Sequence, residues 1–186
     1  MPVITIALAA ALAAAPADPA VTAEVHAEVK ALLGELDRPT SPDAFRRLGP
    51  AGEAALAEIA LSSDFAPRRA RALEVLAALR SPRAEPVHRA VAGSTAAPPA
   101  ARRAAIRGLA QVLPPAQIAG ALRPFLEEER DPRVRAAAAE ALAAATPGEA
   151  CGAIRAQAGR EETGAALYGR ALATCARAVK AGKAPR

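Results

Sequence analysis

Three segments of this chain superimpose without gaps at a spacing of 33 residues. They are Arg69-Ala-Arg-Ala72-Leu73-Glu-Val-Leu76-Ala77, Arg102-Arg-Ala-Ala105-Ile106-Arg-Gly-Leu109-Ala110 and Arg135-Ala-Ala-Ala138-Ala139-Glu-Ala-Leu142-Ala143. A weaker fourth copy stays in phase through Ala171, Leu172, Cys175 and Ala176, and a partial copy, Ala44 to Gly49, stands 28 residues ahead of the first. The recurring arginine, aliphatic and leucine raise the match above what alanine content alone would produce. Within a copy Ala72, Leu73 and Leu76 fall on one helical face. Pro67, Pro99 and Pro132 stand just before the copies, where a helix's first turn tolerates proline. A partner helix is predicted between successive copies, from Glu53 to Leu61, Glu85 to Ala92, Gln117 to Glu127 and Glu149 to Ala158. Each unit is then a helical hairpin that cannot bury its apolar face alone, and stacking the hairpins makes one core.

Composition agrees. Of 186 residues 56 are alanine, and aromatics amount to 2%. Alanine is the best helix former and lets helices approach closely, but it buries little area per residue, so a compact core built on large side chains is not expected. The 17 prolines and 12 glycines break the chain into short helices rather than one coiled coil. Residues 20–37 form a further amphipathic helix with Val21, Val25, Val29, Leu32, Leu33 and Leu36 on its apolar stripe, suited to capping the stack or to docking a partner.

Asp131-Pro132-Arg133-Val134-Arg135, followed by Ala138 and Ala141-Leu142, resembles the second-helix signature of the HEAT repeat family, including its bacterial lyase-associated HEAT-like branch. Leu48-Gly49-Pro50-Ala51 is similar to that family's junction into a first helix. Pro124, inside a first helix, resembles its kinking proline, which removes one backbone hydrogen bond. The resemblance implies an all-α fold: a right-handed α-solenoid of about four stacked helix-turn-helix repeats over residues 42–179. Residues 18–41 supply the N-terminal capping helix and linker, and residues 180–186 a disordered basic tail.

Residues 3–15, VITIALAAALAAA, are too short to span a membrane and of the right length for the apolar region of a secretory signal peptide. Ala15-Pro16-Ala17 meets the small-x-small requirement, so residues 1–17 are expected to leave a chain starting at Asp18. The destination is then periplasmic or secreted, in a bacterium. If the segment is instead an uncleaved apolar helix, the protein stays in the cytoplasm. No cysteine follows the run, so a lipid anchor is not supported. Export makes Cys151 and Cys175 a candidate disulfide; in the cytosol they would be two buried thiols. A turn within Gly159–Gly164 would place them at similar height on antiparallel helices.

The formal charge is +5, carried by 21 arginines and 3 lysines. Nucleic acid is disfavoured as a partner because almost no aromatic ring is present on which bases could stack. No phosphate-binding glycine loop, HExxH motif or GxSxG elbow occurs. His26 and His88 stand apart and read as solvated or partly packed side chains. Glu127-Glu128-Glu129 reads as a solvated turn near Arg130 and Arg133. Among relatives that the resemblance suggests, bilin lyase subunits conflict with export, and HEAT-like alkylpurine DNA glycosylases conflict with the lack of tryptophan. The expectation is therefore a non-catalytic, monomeric scaffold for another protein, with no cofactor or metal. The alternative is a basic electrostatic adaptor for an anionic polymer or membrane surface. Arg69, Arg102 and Arg135 are the candidate binding residues. Helical geometry nevertheless places them over the seam between units, within reach of carboxylates such as Asp131 or of free helix-end carbonyls. Glu74, Arg107 and Glu140 occupy the exposed position and predict a charge ladder across repeats, while Tyr168, one repeat after Arg135, is expected at the last seam.

Overall fold

The computed structural model describes residues 21–34, 41–62 and 65–182. The apolar run at 3–15 and its Ala-Pro-Ala site lie outside these residues, as do the last four residues of the tail and both ends of the helix expected over 20–37. Among the described residues the regular structure is helical throughout: α1 (Ala23–Gly34), α2 (Pro42–Arg46), α3 (Gly49–Ser62), α4 (Ala66–Leu79), α5 (Ala84–Gly93), α6 (Pro99–Val112), α7 (Pro115–Glu127), α8 (Pro132–Ala145), α9 (Pro147–Arg160), α10 (Gly164–Leu167) and α11 (Gly169–Lys180).

Pairs α3/α4, α5/α6, α7/α8 and α9/α11 form four hairpins that stack in chain order as an α-solenoid. The second helices make a continuous layer, α4 on α6, α6 on α8 and α8 on α11, while the first helices touch more sparsely. The cause is local composition. α8 buries Ala136, Ala137, Ala138, Ala139, Ala141 and Ala143 around Val134 and Leu142, so its neighbours approach on both sides. Prolines fall in the first turns of α4, α6, α7, α8 and α9. Pro124 lies inside α7 as expected.

The partial copy at residues 44–49 is not a repeat helix. It is the five-residue α2, which buries Phe45 against α3 and α4, followed by a turn. Gly49 ends that turn at φ +59°, a left-handed conformation open to glycine, and Pro50 follows at the start of α3. α1 packs on α3 and α4 through Val29 and Leu33, the position of a cap. The expected turn after α9 lies at residues 161–163, and the short helix α10 follows it, so the second helix of the last hairpin begins only at Gly169.

Candidate functional site

Each recurrent arginine lies on a second helix and reaches back to the C-terminal end of the first helix before it or, for Arg135, to the connection just beyond that end. Arg69 Nε donates to the Ala60 carbonyl at 2.9 Å. Arg102, 6% exposed, donates from Nε to the Ala92 carbonyl at 3.0 Å. Arg135 Nη1 donates to the carbonyls of Glu129 and Arg130 at 2.7 and 3.0 Å. The Ala60 and Ala92 carbonyls lie in the last turns of α3 and α5 and lack intrahelical partners, so there the guanidinium closes the helix end and faces its negative dipole, whereas Arg135 holds the connection that follows α7.

Two of the arginines also reach forward to the next hairpin. Arg102 grips Glu129 with both terminal nitrogens, one of them at 3.1 Å. Arg135 grips Glu161 through Nε and Nη2, each at 2.9 Å. At the next repeat position Tyr168 takes the arginine's place; its hydroxyl donates to Glu161 at 2.5 Å and stands 3.3 Å from Arg135 Nε. Hydrogen bonding from Arg135 holds the Glu161 carboxyl down to about 2, with Tyr168 and Gln157 adding to it against some burial. Arg102 similarly lowers Glu129. Burial raises the Tyr168 phenol, and the Glu161 carboxylate adds to the rise.

Three sequence expectations need correction. Asp131 is not an arginine partner: it caps α8, accepting from the backbone N–H groups of Arg133 and Val134 at 2.8 and 3.1 Å. Glu129 is not part of a solvated turn, because its carboxylate turns inward on Arg102 while Glu127 and Glu128 stay exposed. His88 is neither solvated nor partly packed but fully buried, its Nδ1 2.6 Å from the Ala84 carbonyl, its Nε2 without a hydrogen-bond partner among the described residues, and its pKa lowered by burial. Gly108 makes the room, since a Cβ there would come within 2.0 Å of Nε2.

The expected charge ladder is present in altered pairing. Glu74 meets Arg107 at 3.4 Å, and Glu140 meets Arg170, 3.8 Å away on α11, rather than Arg107.

That ladder crosses an open trough over α6, α8 and α11. Three lobes share Glu140: about 410 Å³ beside Arg107 and Gln111, about 290 Å³ beside Arg103, Arg133 and Arg170, and about 370 Å³ beside Arg170 and Arg177. Its walls carry five arginines and one glutamate, and alanines make up most of the rest. The 33-residue register singles out Arg107 and Glu140 of this set but not Arg103, Arg133, Arg170 and Arg177, which come from other register positions on three helices. Only the stacking of α6, α8 and α11 brings it together.

The family model for HEAT repeats matches residues 53–143 and 90–172, more than half of the chain. The chain belongs to the HEAT repeat family. No curated protein and no solved structure matches it. HEAT repeats generally serve as protein-interaction scaffolds and are typically non-catalytic, so the trough and the riveted seams are the features to interpret. Among the described residues no group of His, Cys, Asp and Glu side chains could hold a metal ion, and no helix is long and apolar enough to cross a membrane.

Cys151 on α9 and Cys175 on α11 lie at disulfide distance, with sulfurs 2.08 Å and Cα atoms 5.6 Å apart.

Proposed function

We propose that this HEAT-repeat protein is an exported, monomeric, non-catalytic scaffold that binds another protein through the face of α6, α8 and α11. The observation that carries the reading is the division of its arginines. Arg69, Arg102 and Arg135 are occupied by helix ends and glutamates, which favours a structural role for them over a binding one. The arginines of the trough instead surround open space. A stack whose seams close themselves leaves its free face for a partner. The cysteine pair at bonding distance supports an oxidising compartment, and hence export with release at Asp18.

A photo-crosslinking residue placed at Gln111 or Ala144 in the native host should give a discrete protein adduct. The same residue at the exposed Gly93 or Gly152 should not. Adducts from the latter sites alone would move the binding face elsewhere. Intact-mass analysis of the extracytoplasmic fraction should find a chain beginning near Asp18, and recovery of the full-length chain in the cytosol would remove export. The reading as an electrostatic adaptor draws on the net charge. Its signature would be a steep loss of binding to anionic polymer or vesicles as salt rises.

A further inference from the structure

We propose that the trough recognises an extended acidic peptide segment of the partner, with acidic residues toward both ends and a neutral or basic residue over Glu140; this rests on the scaffold reading above.

Charge is unevenly placed. Arg103 and Arg107 sit one turn apart on α6, and Arg170 and Arg177 sit two turns apart on α11; between them on α8 lie Glu140, common to all three lobes, and, two turns away, Arg133, which reaches one lobe. Two interhelix spacings separate the flanking pairs, roughly 20 Å. An extended chain rising about 3.3 Å per residue crosses that distance in about six residues. Carboxylates at the two ends of such a segment would meet the planar forks of the arginines, which suit a bidentate grip.

The arginines are available. Arg170 is 86% exposed and its contact with Glu140 is long; Arg107 is 41% exposed and its contact with Glu74 is 3.4 Å. Surface pairs of this kind are worth little and exchange readily. Arg133 has no side-chain partner among the described residues, and the exposed Arg177 donates to the hydroxyl of its own helix neighbour Thr174 at 2.9 Å, not to a carboxylate. The floor is mainly alanine, so a main chain can lie close to it.

Glu140 decides between classes of polyanion. A nucleic-acid backbone carries a charge at every step and would bring one against this carboxylate, with no ring in the trough to stack a base. A peptide can place an amide N–H or a lysine there instead.

The test is fluorescence anisotropy of the full chain at low salt with three labelled probes of about eight residues: a peptide acidic at both ends with alanines between, a uniformly acidic peptide, and oligothymidylate. The split-acid peptide should bind at least about tenfold more tightly than the other two. Arg170→Glu with Arg177→Glu, both at exposed positions, should abolish that preference, whereas Arg89→Glu on α5 should leave it intact. Glu140→Gln should improve binding of the uniformly acidic peptide most. Equal binding of all three probes, tighter binding of oligothymidylate, or an unchanged preference in the double variant would overturn the inference. Crosslinks from Gln111 to a partner that persist while acidic peptides fail to bind would overturn it and leave the scaffold reading standing. Loss of those crosslinks would remove the scaffold reading itself.

Discussion

The first and last hairpins are built from the same repeat but are held together differently. In α3/α4 the seam is aliphatic: Leu56, Ile59, Leu73, Val75 and Leu76 are buried, each contributing about 1.5–3 kcal/mol. Its arginine, Arg69, makes a single hydrogen bond to a helix end among the described residues. In α9/α11 the buried aliphatic residue is Ile154, accompanied by alanines and the cysteines. There Tyr168 stands at the arginine position, Arg135 reaches forward from α8 to Tyr168 and Glu161 while also bonding two carbonyls, and Cys151 and Cys175 lie at disulfide distance between the two helices. Where alanine leaves little area to bury, ionic contacts and a cysteine pair at bonding distance take its place. The repeat register is kept and the means of closing each seam varies.

The largest effect is expected from the cysteines. A bridge closing a loop of 24 residues should stabilise by about 3 kcal/mol in the chain-entropy model. Cys151→Ser with Cys175→Ser should therefore lose roughly that amount, and hydrogen exchange should show α9 and α11 opening well before α3 and α4. Thiol titration of denatured protein from the native host checks the premise, which two reactive thiols per chain would remove.

Truncating the three arginines should next give a graded series. Arg135→Ala should cost about 2–3 kcal/mol, since it leaves a half-buried glutamate and two carbonyls without their donor. Arg102→Ala should cost about 1–2 kcal/mol and Arg69→Ala about 1 kcal/mol or less, read as midpoint shifts in urea at constant slope. Equal costs at the three sites would mean that the differences in bonding carry no energy. Unchanged stability in all three, with loss of the partner, would make them the binding site after all.

Much of the frame is legible in the amino-acid sequence. The 33-residue period locates every second helix, Asp-Pro-Arg-Val-Arg marks the start of α8, and the 100° arithmetic places the arginines over the seams. What the sequence hides is equally specific. Glu129 and Glu161 are 27 and 26 residues beyond their arginines, outside the 33-residue register, because they project from the connections that follow α7 and α9. His88 gives no sign of full burial until Gly108 is known to face it. The trough depends on which helices become neighbours.

Acid should separate the two kinds of closure further. The Glu161 carboxyl is held at about 2 in the folded chain against an ordinary 4.5, so its contribution is fully present above about pH 4.5 and is lost as pH falls toward 2. The shift corresponds to at most about 3 kcal/mol, less what solvent at its edge screens away. Glu129 adds loss in the same direction. His88, its pKa lowered by burial from 6.5, begins an earlier loss as pH drops below that value, because the unfolded chain takes up the proton first. Denaturant titrations from pH 7 to about 2 should show α9/α11 weakening below pH 4.5 more than α3/α4. Glu161→Gln should remove most of that difference, and a decline of equal size in the variant would assign it to other carboxylates.

The smallest effect lies in the aliphatic half. Arg80 ends α4 with φ +53°, a left-handed conformation that costs a residue with a Cβ about 1 kcal/mol. The backbone requires it: Arg80 N–H bonds the Ala77 carbonyl at 3.0 Å and Ser81 N–H bonds the Leu76 carbonyl at 3.3 Å, the paired closure that usually places glycine at this position. Ser81 then turns inward, its hydroxyl donating to Glu53 at 2.6 Å and so tying the junction back to α3. Arg80→Gly removes the strain but gives the unfolded chain more freedom, which leaves a net gain of about 0.5 kcal/mol. A rise in urea midpoint with unchanged slope is the expected result. A fall would mean that the exposed Arg80 side chain contributes more than its backbone strain costs. The N-terminal seam would then depend on arginine more than its single bond at Arg69 suggests, and the contrast between the two hairpins would narrow.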